Sequence, residues 1–201
     1  VELNHIALAL SMTRNVLPSD WHRLEATPAE IWDLLQTASG LAELGARMGR
    51  IVGPVDWSAF DDQLARSQRC GAQVVSRWDA AYPWRLRQVG VPPPILFVRG
   101  NIASLQQTAV AIVGTRAPSA AGTAFATRVA RAIAARGVVV VSGLARGIDT
   151  AAHVGALDAA STRCTIAVLG TGVDVVYPAE NADLMARVIA KGCVVSEQWC
   201  G

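Results

Sequence analysis

Four short apolar runs, Val110–Val113, Val138–Val141, Thr165–Leu169 and Cys193–Val195, recur about 27 residues apart, with a helical pattern in each interval. That spacing is too long for hairpins and suits strands joined by helical crossovers, so the second half of the chain is predicted to be an α/β domain built on a parallel sheet. Ser119 is placed to cap the first crossover helix, with Phe125, Val129, Ala132 and Ile133 as its apolar stripe and Gly137 at its end. Asp149 is read as the cap of a second helix running through Ala160, and Asn181 or Asp183 opens a third that Gly192 closes.

The first half is helical in pattern. Thr27-Pro28-Ala29-Glu30 reads as a capping box with proline at the first helical position, starting a helix through Ile31, Leu34 and Leu35. A further helix from Asp56 carries Trp57, Phe60 and Leu64, and short strands are expected at Gln73–Ser76 and Ile95–Val98. The six tryptophans read mostly as core or domain contacts. The domain boundary is expected between Ser76 and Asn101, giving a small helical domain over residues 1–76 and the α/β domain over 77–201.

Two of the strands break into glycine with an arginine just beyond. Ala111-Ile112-Val113-Gly114-Thr115-Arg116 is the first, and Val141-Ser142-Gly143-Leu144-Ala145-Arg146-Gly147 the second. Glycine lets the backbone turn sharply and approach a ligand, which presents N–H groups and a guanidinium to an anion at the end of a buried strand. The carboxyl ends of neighbouring parallel strands line one crevice, so both turns are expected to face the same phosphate-bearing ligand. The candidate contacts are Gly114, Thr115, Arg116, Ser142, Gly143, Ala145, Arg146 and Gly147, with Asp149, His153, Tyr177, Asn181 and Lys191 as supporting positions. Asp149 and His153 stand four apart and could act as an acid/base pair, although a helix cap and a packed imidazole are the favoured roles. Tyr177-Pro178 offers either an aromatic face for base stacking or a proline-fixed turn packed on the sheet.

Several classes are disfavoured. Gly114 and Gly122 are too far apart for a G-x-G-x-x-G turn, the second strand ends without a carboxylate for a ribose hydroxyl, and there is no G-x-x-x-x-G-K-[ST]. No cofactor is therefore expected. The four cysteines lack C-x-x-C spacing and no histidine adjoins them, so unpaired thiols and no metal site are expected. The apolar runs fall short of a membrane span and no leader pattern precedes them, which points to a cytoplasmic protein. Net charge is only +2, and of the 18 basic residues all but Lys191 are arginine, a bias that suits phosphate binding but fits a GC-rich coding sequence at least as well.

At VGTRAPSAAG, VVSGLARGIDTAAHVGAL, TIAVLGTGVDVVYPAENADL and VVSE, the chain resembles the DNA-processing protein A family, also called DprA or Smf. YPWRLRQVGVPPPILFVRGN, from Tyr82 to Asn101, resembles the segment that leads into that family's core. The resemblance implies a Rossmann-like sheet preceded by a small helical domain, SAM-like or helix-hairpin-helix-like. It implies sequence-independent binding of single-stranded DNA and loading of the RecA recombinase in natural transformation, without catalytic turnover. It places Gly114, Thr115 and Arg116, with Gly143, Ala145, Arg146 and Gly147, at the DNA pocket. It also implies a continuation beyond Gly201 into a segment rich in basic and asparagine residues with further strands, where a homodimer surface lies. Where basic residues can occur in the family, this chain has Ala179 and Glu180.

Two other classes are compatible with these residues. One is a nucleotide-processing enzyme resembling phosphoribohydrolases, motivated by the turns and by Asp149 and His153, although no P-G-G-x-G-T stretch is present. The other is a protein-binding remnant that has lost DNA affinity.

Overall fold

Local signals set the helices of the first part of the chain. In the computed structural model, which describes residues 2–24, 26–159 and 164–201, α1 spans Leu3–Ser11, α2 Pro28–Leu35, α3 Ala38–Met48 and α4 Trp57–Cys70. The capping box at the start of α2 forms as expected. The Thr27 hydroxyl accepts from the Glu30 N–H at 3.3 Å, and the Glu30 carboxylate accepts from the Thr27 N–H at 2.7 Å. That exchange holds the Glu30 carboxyl below its usual range. Asp56 caps α4 through an N–H bond from Ala59 at 2.9 Å. Ile6, Leu8, Leu10, Ile31, Leu35, Leu44, Met48 and Phe60 are buried and make the apolar core of this helical part. Trp21 joins it, stacked obliquely on Trp78, whereas Trp84 is more than half exposed and belongs to no core.

The chain divides into two compact units, residues 1–69 with 74–96 and residues 70–73 with 97–201, so that residues 77–96 group with the helical part. Strands β1 (Gln73–Ser76), β2 (Ile95–Gly100), β3 (Ala109–Ala111), β4 (Val139–Ser142), β5 (Thr165–Leu169) and β6 (Cys193–Ser196) form one sheet in the order β1-β2-β6-β5-β4-β3. The four repeated runs pair in parallel, with Val140 opposite Thr165 and Ile166 opposite Cys193. The sheet as a whole is mixed, because β2 runs antiparallel to β6, with Val98 opposite Val195. An α/β, Rossmann-like fold therefore stands, with β2 reversed against the four parallel strands in place of an all-parallel sheet.

Between these strands lie α5 (Ala120–Ala134), α6 (Ile148–Leu157) and α7 (Ala182–Lys191). The parallel strands follow one another in chain order without a reversal. Connections of the usual single hand then place successive helices on one face, and the three helices do lie side by side, α5 against α6 and α6 against α7. Ser119 caps α5 by accepting from the Gly122 N–H at 3.1 Å, and Gly137 ends the turn beyond it with a φ of +76°.

The stripe expected on α5 is not the buried one. Phe125 is 59% exposed and Ala132 is exposed, while Ala126, Ala130 and Ala134 are the residues that face inward. The reason lies on α6, where Gly155 brings the helices so close that a Cβ there would stand 2.2 Å from the Thr127 carbonyl oxygen. Only small side chains fit such a contact, and it outranks the larger residues' claim on the sheet. The expected end of the second helix at Ala160 lies outside the described residues, and α6 itself ends at Leu157.

His153, in the middle of α6, is fully buried and hydrogen-bonds Thr165 on β5 through Nδ1 at 2.7 Å. Thr165 spends its own hydroxyl proton on the Val140 carbonyl at 2.8 Å, so Nδ1 must donate and Nε2 is left as an acceptor with no partner among the described residues. Burial pushes the imidazole down to about 4. A base with a lowered folded value stabilises the fold fully above its unfolded value of about 6.5, and this contribution fades as pH falls toward 4. The expected loss is about 3 kcal/mol across that window. Urea titrations at pH 7 and pH 4.5 check it, since a His153→Gln variant must show a visibly shallower loss than the parent.

The cysteines form no disulfide. Burial raises the Cys193 thiol to about 12, which makes it a packing group and no nucleophile. Among the described residues no helix is long and apolar enough to cross a membrane, and no three His, Cys, Asp or Glu side chains gather as metal ligands would.

Candidate nucleic-acid interface

The two glycine turns meet at the carboxyl ends of β3 and β4, and backbone joins them. The Ile148 N–H donates to the Thr115 carbonyl at 3.1 Å. Gly147 sits at φ +81° and ψ −122°, where a Cβ would lie 2.3 Å from the Thr115 carbonyl oxygen and 2.8 Å from the Arg116 carbonyl carbon. Gly114 gives the same closeness from the other side, since a Cβ there would press on Ile148 at 2.7 Å. Glycine at both positions is thus what lets the first turn lie directly on the second.

The second turn is held from behind by three side chains. Asp149 accepts from the Gly143 N–H at 3.1 Å, and Thr150 donates its hydroxyl to the Ala145 carbonyl at 2.7 Å. Buried Asn181 donates to the Leu144 carbonyl at 2.8 Å and to Thr150 Oγ1 at 2.9 Å. These bonds fix Leu144 in a left-handed conformation, φ +59°, with its side chain in the core.

Several expected contacts are therefore occupied by the fold. The N-cap of α6 is Gly147, and Asp149 stands inside the first turn serving the Gly143 amide, so the Gly143 N–H is not free for a ligand and Asp149 supports the turn. Ser142 is buried and donates to the Ile112 carbonyl at 2.7 Å, tying β4 to β3. His153 bonds to Thr165 in the core and forms no pair with Asp149, which removes the acid/base couple that motivated an enzymatic reading. Lys191 precedes β6, at the amino-terminal ends of the parallel strands, and reaches the Leu157 carbonyl at 3.4 Å. It belongs to the opposite end of the sheet from the turns.

What remains open is a compact group. Arg116, Ala145, Arg146, Tyr177 and Pro178 line one small cavity of about 40 Å³. A site that encloses a nucleotide needs roughly 300 Å³ or more, so this cavity admits a small anionic group and leaves the remainder of a ligand outside. Among the described residues, the N–H groups of Ala145, Arg146 and Gly147 meet no acceptor, and Arg116 makes no hydrogen bond or ion pair. Thr115 accepts from the Ala117 N–H at 3.2 Å and keeps its own hydroxyl proton available. Tyr177 is 63% exposed and lines the same cavity as the two arginines.

Arg146 differs from Arg116 in being engaged. Its Nε and Nη2 donate to the two oxygens of Glu180, the second at 2.8 Å. Both side chains are more than half exposed. Hydrogen bonding to the carboxylate raises the Arg146 guanidinium, and the same bond lowers the Glu180 carboxyl. Glu180 was readable only as a departure from a basic pattern, because its partner lies 34 positions away.

Comparison with known proteins bears on this group. Residues 73–201 match the family model for DNA recombination-mediator protein A. The chain is 43% identical over 119 residues to the DNA processing protein DprA of Streptococcus pneumoniae, a match covering 59% of this chain and 41% of that protein. It spans well under half the length of the curated relatives that it matches. Among solved structures, the X-ray structure of DNA processing protein A from Streptococcus pneumoniae superposes on all of this chain and 69% of its own, with a TM-score of 0.72 and 29% identity. DNA processing protein A from Helicobacter pylori, described for its unique single-stranded DNA binding mode, covers 63% of this chain and 55% of its own, with a TM-score of 0.56 and 28% identity.

Proposed function

Since this chain belongs to the DNA recombination-mediator protein A family, we propose that the paired turns hold the backbone of single-stranded DNA, without regard to its sequence. The observation that carries this reading is the meeting of Arg116, Arg146 and exposed Tyr177 around one small anion-sized cavity. Guanidiniums and free turn amides hold phosphates, and an aromatic face at the same point offers stacking to a base. Bases in a duplex are already stacked on one another, so such a face favours a single strand. Every base has a π-face and every nucleotide a phosphate, which makes the binding indifferent to sequence. The family's description as a recombination mediator and the single-stranded DNA binding of the Helicobacter pylori relative support the same reading. The further step is delivery of the bound strand to the RecA recombinase in DNA processing during transformation.

The test is a titration with a fluorescent 20-residue oligothymidine at several salt concentrations. Arg116→Ala and Arg146→Ala are each expected to weaken binding about tenfold at low salt and to lower the salt slope by about 0.7, the loss of one single-strand phosphate contact. Unchanged affinity and slope in both variants would falsify the assignment. Base release from a nucleoside monophosphate by the purified chain would point to the enzymatic class.

A further inference from the structure

The two arginines of the cavity are not equivalent. Arg116 is open, whereas Glu180 grips Arg146 through Nε and Nη2, the edge that a phosphate would use for a two-point contact. The grip is set in advance by the fold. Glu180 lies in the 3-10 turn Ala179–Asn181, and its neighbour Asn181 is pinned by one hydrogen bond to Leu144, in the turn that carries Arg146, and by a second to Thr150 on α6, which itself holds that turn. The backbone on both sides of the pair is thus fixed before the pair forms, and only two side chains need ordering.

We propose that Glu180 is an internal anion that competes with a phosphate for Arg146, and so tunes the site toward a strand of linked phosphates over a lone one. This rests on the reading of the cavity as a phosphate site. A single phosphate reaching Arg146 must displace a carboxylate already making the same two bonds, so the exchange yields little. A strand held at Arg116 and at the turn amides presents its next phosphate at high effective concentration, and displacement then succeeds. Binding at Arg146 is graded by this competition and is never a simple vacancy being filled.

The experiment measures the affinity of this chain for the labelled 20-residue oligothymidine, and the concentration of inorganic phosphate that displaces it, in the parent, Glu180→Gln, Arg116→Ala, Arg146→Ala and the Glu180→Gln/Arg146→Ala double variant. Both side chains are largely exposed, so the substitutions leave the core untouched. Glu180→Gln is expected to tighten oligonucleotide binding about threefold. It is also expected to lower the displacing phosphate concentration by a larger factor than it tightens the strand. In the Arg146→Ala background the gain must fall by more than half. An equal gain in both backgrounds would mean only that a negative charge had been removed, and it overturns the competition. No gain in Glu180→Gln, with Arg146→Ala still weakened, overturns it while the phosphate reading stands. Parent-like binding in both Arg116→Ala and Arg146→Ala overturns the phosphate reading, and the competition with it.

Discussion

Replacing Gly147 by alanine is expected to lower the melting temperature by about 5–15 °C and to weaken oligonucleotide binding more than tenfold. The backbone there, at φ +81° and ψ −122°, is one that a residue with a Cβ resists, at a cost of about 1–3 kcal/mol. The added methyl also meets backbone, the Thr115 carbonyl at 2.3 Å and the Arg116 carbonyl carbon at 2.8 Å, and neither can swing aside as a side chain could. Forcing them apart costs about 1–3 kcal/mol more and separates the turn bearing Arg116 from the turn bearing Arg146. Stability and binding should therefore fall together. Thermal melts and the oligothymidine titration measure both, and a variant melting within 2 °C of the parent with equal affinity would show that the contact is dispensable.

Gly155→Val is expected to destabilise the fold by about 3 kcal/mol, with the binding of whatever protein remains folded largely preserved. Here the obstruction is the backbone of α5 at Thr127, with its oxygen 2.2 Å and its Cα 2.9 Å from the added carbon. Moving α5 outward uncovers Ala126, Ala130 and Ala134, the whole buried face of that helix. The milder Gly155→Ala gives a test of sign. Helix propensity alone favours alanine over glycine by about 1 kcal/mol, so a stabilised variant would show that the helices can part freely. Denaturant titration decides it. Gly147 and Gly155 together separate two demands on glycine, one made by the cavity and one by the helix contact behind it.

How much of this could be read from the residues depended on the range of the interaction. The strand at Gln73–Ser76, the strand at Thr165–Leu169, the Thr27 capping box and the Ser119 cap all form as expected; the caps depend on neighbours a few positions away, and each strand is marked by its own apolar run even though its pairing partners are distant. Periodicity named Phe125, Val129, Ala132 and Ile133 for α5, yet it could not register that Gly155 on another helix would admit only alanines. The reversal of β2 had no local signature, since strand direction is fixed by the partner, here β6. Lys191 could have been set aside from sequence alone. A residue just before a parallel strand stands at the end away from the turns. The arginines and Tyr177 do gather, whereas the roles of Asp149, Asn181 and Glu180 arise from bonds spanning 6, 37 and 34 positions. No spacing rule anticipates the two longer ones.

The unreversed strand order also permits this region to assemble in the order of its synthesis. Each of β4, β5 and β6 pairs with the strand made just before it, so every βα unit can dock on a finished neighbour without waiting for a distant segment. Both arginine turns, with Asp149 and Thr150, come from the first two units and can take shape early. Asn181 arrives a unit later to fasten Leu144 and Thr150 in place, and Glu180 comes with it. In chain order both guanidiniums thus precede the carboxylate, and the same short turn that completes the geometry of the site delivers the group that covers one of them.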